Sequence, residues 1–278
     1  MVIGIDIGCT TTKAVAAENS KIIGTVKTKA YDAITSASGA LGKIIMENNI
    51  DISQIKKLII TGAGSVKIKR NIFGIETYKI DEISSIGLGG MYLAGREGIV
   101  ITNIGTGTSI IEADKDKITH LGGTGIGGGT IVGLAKELIK STTFDHILNL
   151  AEHGDITNVD LLIEDISDSG ISFLNNKTTA SNFGKMLDSA NREDMAIGIL
   201  NMVYQVIGMI SVFAAKSRNT NNIVITGNGS KNPVGKKILE EISAIYNIGF
   251  EFPSNAEYAT AIGAALSKED LHKSVEKE

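Results

Sequence analysis

One stretch of this chain restricts its fold more than any other: NIGTGTSIIEADKDKITHLGGTGIGGGTIVG, from Asn103 to Gly133. Two glycine-rich turns are joined by a short hairpin-like run, and the second enters an apolar helix beginning near Ile131. A glycine turn after a β-branched run exposes successive backbone N–H groups, because glycine tolerates positive φ and lets an anion approach closely. Where such a turn opens a helix, as at Gly127-Gly128-Gly129-Thr130, unpaired N–H groups and the helix dipole add to the attraction. A single turn of this kind fits a tight hairpin or a bulge equally well. Two within about thirty residues, each edged by Thr or Ser, point to phosphate.

The flanking chain repeats one order of elements. Residues 2–7, VIGIDI, read as a buried strand with Asp6 near its end. Strands follow over residues 12–17 and 21–27, then a helix over 36–48 and a strand over 57–60 that enters Thr61-Gly62-Ala63-Gly64. A helix over 81–94 starts on two acids and stops before Gly95. Residues 98–102, 108–113 and 117–121 then open a second strand series, and ITNIGTGTSI echoes GIDIGCTTTK. The spacing predicts helices over 130–139, 143–152, 160–166, 192–217 and 257–266, a polar loop over 169–184, a strand over 222–226 and a frayed tail from Ser267. The apolar surface of 192–217 exceeds one stripe, which suits a core helix or a subunit contact. The expected fold is α/β, with two ribonuclease-H-like lobes of the actin-like ATPase kind and a nucleotide cleft between them. The expected boundary places residues 1–97 in an N-terminal lobe and 98–278 in a C-terminal one.

Composition narrows the function. Net charge is −4 and no long run of Lys and Arg occurs, which argues against nucleic acid and anionic membranes as partners. Lys67, Lys69 and Arg70 form a small cluster that reads as a solvated face. The single cysteine, Cys9, excludes an internal disulfide, argues against structural zinc and fits a reducing compartment. With strand-like residues directly after Met1 and no long apolar run, the expectation is a cytoplasmic protein.

Three glycine turns, at residue 8, at 105–107 and at 227–229, each follow a strand. In a two-lobed protein they border the cleft, with the phosphates of one nucleotide between the first two and the base near the third. The pattern is neither a P-loop, since GxxxxGK[ST] is absent, nor a dinucleotide fingerprint. Asp6, Thr10, Thr11, Thr12 and Lys13 offer a carboxylate, hydroxyls and an ammonium. Mg²⁺ prefers such a site, with few carboxylates plus phosphate oxygens. Phosphoryl transfer also needs a group to deprotonate the acceptor. Asp6, Asp81 and Glu82 are candidates, and Glu82 is preferred, although from spacing alone a helix-start acid is more often a cap.

At these residues the sequence resembles a known family. GIDIGCTTTK, DEISSIGLGG, NIGTGTSI, GGTGIGGGTIVGL, AEHGD, ASNFG and AIGAAL occur in the order of type II pantothenate kinases, members of the actin, hexokinase and acetate-kinase superfamily. The resemblance implies ATP-dependent phosphorylation of the terminal hydroxyl of pantothenate, the first step toward coenzyme A, by a homodimer using ATP and Mg²⁺. It implies Glu82 as catalytic base and Asp6 as the metal-side carboxylate. Asp6, Ile7, Gly8, Cys9, Thr10, Thr11, Thr12 and Lys13 would form the first phosphate loop. Thr106, Gly128, Gly129, Thr130, Ile131 and Val132 match nucleotide contacts, Phe144 and Asn228 lie near the adenine, and Ser109 is a substrate contact. Where the family usually carries arginine before the second glycine turn, this chain has His120. A neutral histidine lacks arginine's permanent bidentate charge. His120 is thus expected to bind the acceptor weakly or pH-dependently, or the acceptor is a relative such as pantetheine.

Two readings from other classes compete. GIDIGCTTTKAV is also similar to the first loop of the ATPase activators of 2-hydroxyacyl-CoA dehydratases, whose iron–sulfur cluster takes two cysteines from each chain; here only Cys9 exists. A nucleotide sensor of the superfamily would have a dispensable Glu82. A related sugar kinase is disfavoured by the lack of a zinc-type Cys/His cluster.

Overall fold

The computed structural model describes residues 1–167, 175–268, 271 and 273–275. The first half contains β1 (Val2–Ile7), β2 (Thr11–Glu18), β3 (Lys21–Lys29), α1 (Ala33–Glu47), β4 (Lys57–Thr61), β5 (Thr77–Lys79) and α2 (Glu82–Ala94). The second contains β6 (Ile99–Ile104), β7 (Thr108–Ala113), β8 (Ile118–Thr124), α3 (Gly128–Leu138), α4 (Phe144–Glu152), β9 (Leu161–Leu162), β10 (Thr179–Ser181), α5 (Arg192–Ser217), β11 (Asn222–Thr226), α6 (Pro233–Tyr246), β12 (Gly249–Glu251), α7 (Ala259–Leu266) and β13 (Lys273–Ser274). One sheet has the order β13-β5-β4-β1-β2-β3, the other β12-β11-β6-β7-β8. In each, an antiparallel three-strand meander is extended by parallel strands, β1 beside β4 and β6 beside β11. This is the predicted pair of ribonuclease-H-like lobes.

The sheets are covered according to the two-residue alternation of their side chains. Ile3, Ile5 and Ile7 of β1 bury against Ala37, Leu41 and Ile44 of α1, whereas Val15 and Ala17 of β2 pack on Ala261, Ile262 and Ala265 of α7. In the second lobe Ile99, Ile101 and Ile111 pack under Ile86 of α2, and the opposite face is buried by α3, α4, α5 and α6. The helices α2 and α7 therefore cross between the two sheets. They approach closely because their contact is made of glycine: a Cβ on Gly263 would stand 2.7 Å from the Ser85 carbonyl carbon and 2.8 Å from the Gly89 nitrogen. The chain crosses the 97/98 boundary in space, since α2 lies on the second sheet while α7 and β13 lie on the first.

By length and hydropathy α5 is long and apolar enough to cross a membrane. Here it buries Ile199, Leu200, Val203, Tyr204, Ile207 and Val212 in the second core.

Three expectations need correction. The helix predicted over 160–166 is the short strand β9 followed by one 3₁₀ turn, Ile163–Asp165. The cause is Asp160, whose fully buried carboxylate accepts from Phe183 N (2.8 Å), Asn201 Nδ2 (2.8 Å), Asn182 Nδ2 (3.2 Å) and Thr179 Oγ1 (3.2 Å) rather than capping a helix. The predicted loop over 169–184 lies partly outside the described residues; within its described part only Thr179–Ser181 forms a strand, β10 against β9, and the rest is turns. In the predicted frayed tail, Lys273 and Ser274 pair with β5 and Val275 is buried in the first lobe's core. Helix α6 was not predicted, although Asn232 caps it through Oδ1 to Gly235 N (3.0 Å) and Pro233 opens it.

Candidate active site

The β1–β2 turn closes with Gly8 N donating to Thr11 O at 3.1 Å. Its register sets Asp6 opposite Lys13, Lys13 opposite Lys27, and Asp6 beside Thr61 of β4. The second lobe repeats the row, with Asn103 opposite Ser109, Ser109 opposite Gly123, and Asn103 beside Thr226. Thr226 Oγ1 donates to Asn103 Oδ1 at 3.0 Å. Gly62 and Gly227, which follow β4 and β11, both sit at φ +82°, where a side chain would be strained. Asn103 is thus the internal counterpart of Asp6, and Ser109 that of Lys13.

These rows border two adjoining cavities. One, of about 640 Å³, is lined by Thr10, Thr11, Thr106, Gly128, Gly129, Ile131, Val132, Phe144, Tyr204 and Asn228, with Lys27 and Lys231 at its edges. The other, of about 310 Å³, is a polar chamber lined by Asp6, Gly8, Cys9, Lys13, Glu82, Asn103, Ser109 and Thr260. Thr10, Thr11, Gly105, Thr106 and Asn228 belong to both. At this shared border Asn228 Nδ2 donates to Thr11 Oγ1 at 3.1 Å, joining the lobes. A larger hollow of about 820 Å³ between β10, α5 and α6 contains none of the predicted residues.

The chamber is electrostatically tense. Lys13 Nζ lies 3.8 Å from Asp6 Oδ2, and both groups are buried. Burial pushes the Asp6 carboxyl up, with the Lys13 charge opposing. Burial pushes the Lys13 ammonium down, with Asp6, Glu257 and Glu82 opposing and Lys27 adding to the fall. Glu82 opens α2, but the cap is supplied by its neighbour, since Asp81 Oδ1 accepts from Ser84 N at 2.8 Å. Glu82 is left without a hydrogen bond among the described residues and lines the chamber. Loss of water and then the nearby Asp6 charge raise its carboxyl above the ordinary value, with Lys13 opposing. A carboxylate so placed is suited to take a proton.

The helix-start amides of α3 differ from expectation. Gly128 N donates to Gly105 O and Gly129 N to Thr106 O, both at 2.9 Å, while Gly127 N donates to Thr130 Oγ1 at 3.2 Å. The two glycine turns are therefore fastened to each other. Amides without partners among the described residues include those of Cys9, Thr10, Thr106 and Gly107. Ile7 and Thr12 also depart from expectation: strand alternation turns them toward the α1 side, away from both cavities. Thr130 spends its hydroxyl on Gly125 O at 3.1 Å. His120 is paired with Ile111, on the sheet face that carries Ser109, but is exposed and lines neither cavity.

The Fumble family profile matches residues 98–267, the part containing the glycine turns of the second lobe. A type II pantothenate kinase of Oceanobacillus iheyensis is 35% identical over 217 residues, 75% of this chain and 80% of that one. One of Bacillus thuringiensis subsp. konkukian is 32% identical over 276 residues, 95% of this chain and 96% of that one. This chain belongs to the type II pantothenate kinase family. Its fold is shared more widely. The activator of the 2-hydroxyisocaproyl-CoA dehydratase from Clostridium difficile, solved with bound ADPNP, aligns with a TM-score of 0.68 at 18% identity, covering 95% of this chain and 92% of that one. A ROK family glucokinase from Streptomyces griseus, in complex with glucose and AMPPNP, aligns at 0.60 and 14%, covering 95% and 97%. At these identities the likeness is one of fold.

Within this type II pantothenate kinase family chain, sequence reasoning missed Asn103, Lys27, Tyr204 and Thr260 as lining residues. Asn103 was findable, because ITNIG echoes GIDIG with Asn where Asp6 stands. Tyr204 gave no signal: it is one apolar position of α5, buried, with its hydroxyl donating to Gly229 O at 2.9 Å.

Proposed function

We propose that this chain transfers the γ-phosphoryl group of ATP to the terminal hydroxyl of pantothenate, with Glu82 as the base. One observation carries the assignment of roles: Asp81 caps α2, which frees Glu82 to face Asp6 and Lys13 across the chamber. The nucleotide would lie in the larger cavity, its base against Ile131, Val132 and Phe144 and its polyphosphate along Thr10, Thr11, Thr106 and Asn228. The γ-phosphate would then enter the chamber beside Lys13 and the free amides of the two turns. Ser109 on the wall and His120 on the same sheet face would meet the acceptor. As the hydroxyl oxygen attacks phosphorus, Glu82 takes its proton, the bond to the β-phosphate oxygen breaks and ADP leaves.

Asp6 fits a magnesium site. Its carboxyl is raised by burial, only Lys13 compensates it, and no group of three His, Cys, Asp or Glu side chains gathers among the described residues. Magnesium is commonly held by one or two carboxylates, waters and phosphate oxygens, and when bound it neutralises charge on the transferred phosphate.

We further propose a cytoplasmic homodimer joined through α5, without nucleic acid or membrane partners. The support is an apolar stripe on that helix, Met202, Val206, Met209 and Phe213, in which Phe213 is 62% exposed. The two lobes, taken as 1–97 and 98–278, would close on the nucleotide.

Replacing Glu82 by Gln is expected to lower kcat by about 10²- to 10⁴-fold, the usual contribution of a positioned base. Asp81→Asn, which keeps a capping oxygen, should leave kcat near that of the unaltered enzyme. Equal activity of Glu82→Gln and the unaltered enzyme would remove Glu82 from the mechanism.

A further inference from the structure

We propose that Lys27 is a second phosphate-binding lysine of this site, contacting the nucleotide β-phosphate next to Lys13; the inference rests on the nucleotide-cleft reading above. Lys13 and Lys27 are direct cross-strand partners in the β2–β3 ladder, and Asp6 is the partner of Lys13 on its other side. Cross-strand partners project from the same sheet face, so the three side chains form one row facing the cleft.

Two like charges directly opposite each other disfavour a sheet. Lys13 is buried with Asp6 at 3.8 Å on one side and Lys27 opposite it on the other. An anion lying along the row would relieve that opposition. The row also runs in the direction such an anion would take. Lys13 lines the chamber, and Lys27, one strand further out at about 4.8 Å, lines the nucleotide cavity. Lys13 then serves the transferred group, and Lys27 the phosphate behind it.

The other lysine of the nucleotide cavity is already engaged. Lys231 Nζ is 3.1 Å from Glu257 Oε1, a carboxylate buried to within 10% of full enclosure. Among the described residues the Lys27 ammonium has no ion-pair partner. Lys43 donates to the Lys27 backbone carbonyl at 3.1 Å, which holds the strand, while the Lys27 side chain is exposed and free to meet a ligand.

The test is calorimetric titration of ADP and of AMP, each with Mg²⁺, into the unaltered enzyme, Lys27→Met and Lys27→Arg. Lys27→Met is expected to weaken ADP roughly tenfold, the loss of one charge-assisted hydrogen bond, while AMP affinity stays unchanged and Lys27→Arg restores ADP. Because the substitution removes a like-charge opposition, the nucleotide-free Met variant should melt no lower than the unaltered protein. Unchanged ADP affinity in Lys27→Met, a parallel loss for AMP and ADP, or an unaltered enzyme that binds no ADP would each overturn the proposal. An enzyme that shows the expected ADP pattern but phosphorylates no pantothenate would refute the acceptor assignment and leave Lys27 in its role.

Discussion

Gly89→Ala perturbs the crossing that holds Glu82 in the cleft. A Cβ on Gly89 would stand 2.6 Å from the carbonyl carbon of Ala259 and 3.1 Å from its Cα, against the 3.5–4.0 Å at which carbon atoms ordinarily rest. Backbone atoms of α7 cannot rotate away, so α2 and α7 must part by about 1 Å. Each helix is already pressed on a sheet, α2 on Ile101 and Ile111, α7 on Val15 and Ala17. Overpacking of this kind costs about 1–3 kcal/mol. The gain in helix propensity on replacing glycine offsets roughly 0.5–1 kcal/mol of it. The net expectation is a loss of about 1–2 kcal/mol, or a fall in Tm of roughly 2–8 °C. Gly39→Ala in α1 is the control, since nothing lies within 4 Å of its Cβ position; it should raise Tm by roughly 1–4 °C. Since Glu82 heads α2, a shift of about 1 Å should also lower kcat by up to about 10²-fold. Thermal denaturation followed by circular dichroism, with steady-state kinetics on the same samples, reads both effects. Gly89→Ala matching Gly39→Ala in Tm, with unchanged kcat, would refute the crossing geometry and its link to the base.

The remaining predictions concern the base, the tail and the subunit contact. Glu82 acts ionised and its carboxyl is raised, so the acid limb of kcat/KM against pH should lie above the ordinary carboxylate range and vanish in Glu82→Gln. The linkage has a definite sign: the folded chain binds this proton more tightly than the unfolded chain, so the stability it contributes is present at acid pH and lost as pH rises through the folded pKa. Glu82→Gln should therefore melt no lower than the unaltered enzyme near neutrality. Val275→Ser should cost about 1.5–3 kcal/mol, seen as a fall in Tm of roughly 3–12 °C, because Val275 is buried with Leu41 and Ile44; an unchanged Tm would contradict the tail's docking. Phe213→Asp should convert a dimer to a monomer in light scattering at micromolar concentration, and a monomeric unaltered protein would remove the dimer proposal.

Much of the fold was legible because local signals and tertiary packing agree. The strands β1 and β11 are alternating or largely β-branched runs that end in glycine turns, and each formed where the pattern placed it. The site was legible where chemistry and alternation coincide. Asp6, Lys13 and Glu82 are polar residues at element ends, and the structure gathers them in one chamber. Ile7 and Thr12 belong to the same motif yet point the other way, because a motif is contiguous in sequence while a strand shows only every second side chain to one face. The amides of Gly128 and Gly129 are taken by the carbonyls of Gly105 and Thr106, a contact between turns that no local pattern reveals. The helix predicted over 160–166 failed for a related reason. Its apolar spacing carries no sign of the buried hydrogen-bond network in which Asn182 and Asn201 surround Asp160.

The most direct measurement is ³¹P NMR of a mixture of this chain with ATP, Mg²⁺ and pantothenate, beside mixtures with pantetheine, N-acetylglucosamine or no acceptor. Growth of a phosphomonoester signal coupled to the terminal CH₂ protons of pantothenate, matched by ADP and absent in Glu82→Gln, is the predicted result. ATP converted to ADP and inorganic phosphate regardless of acceptor and of Glu82, or no turnover of ATP at all, would contradict the account.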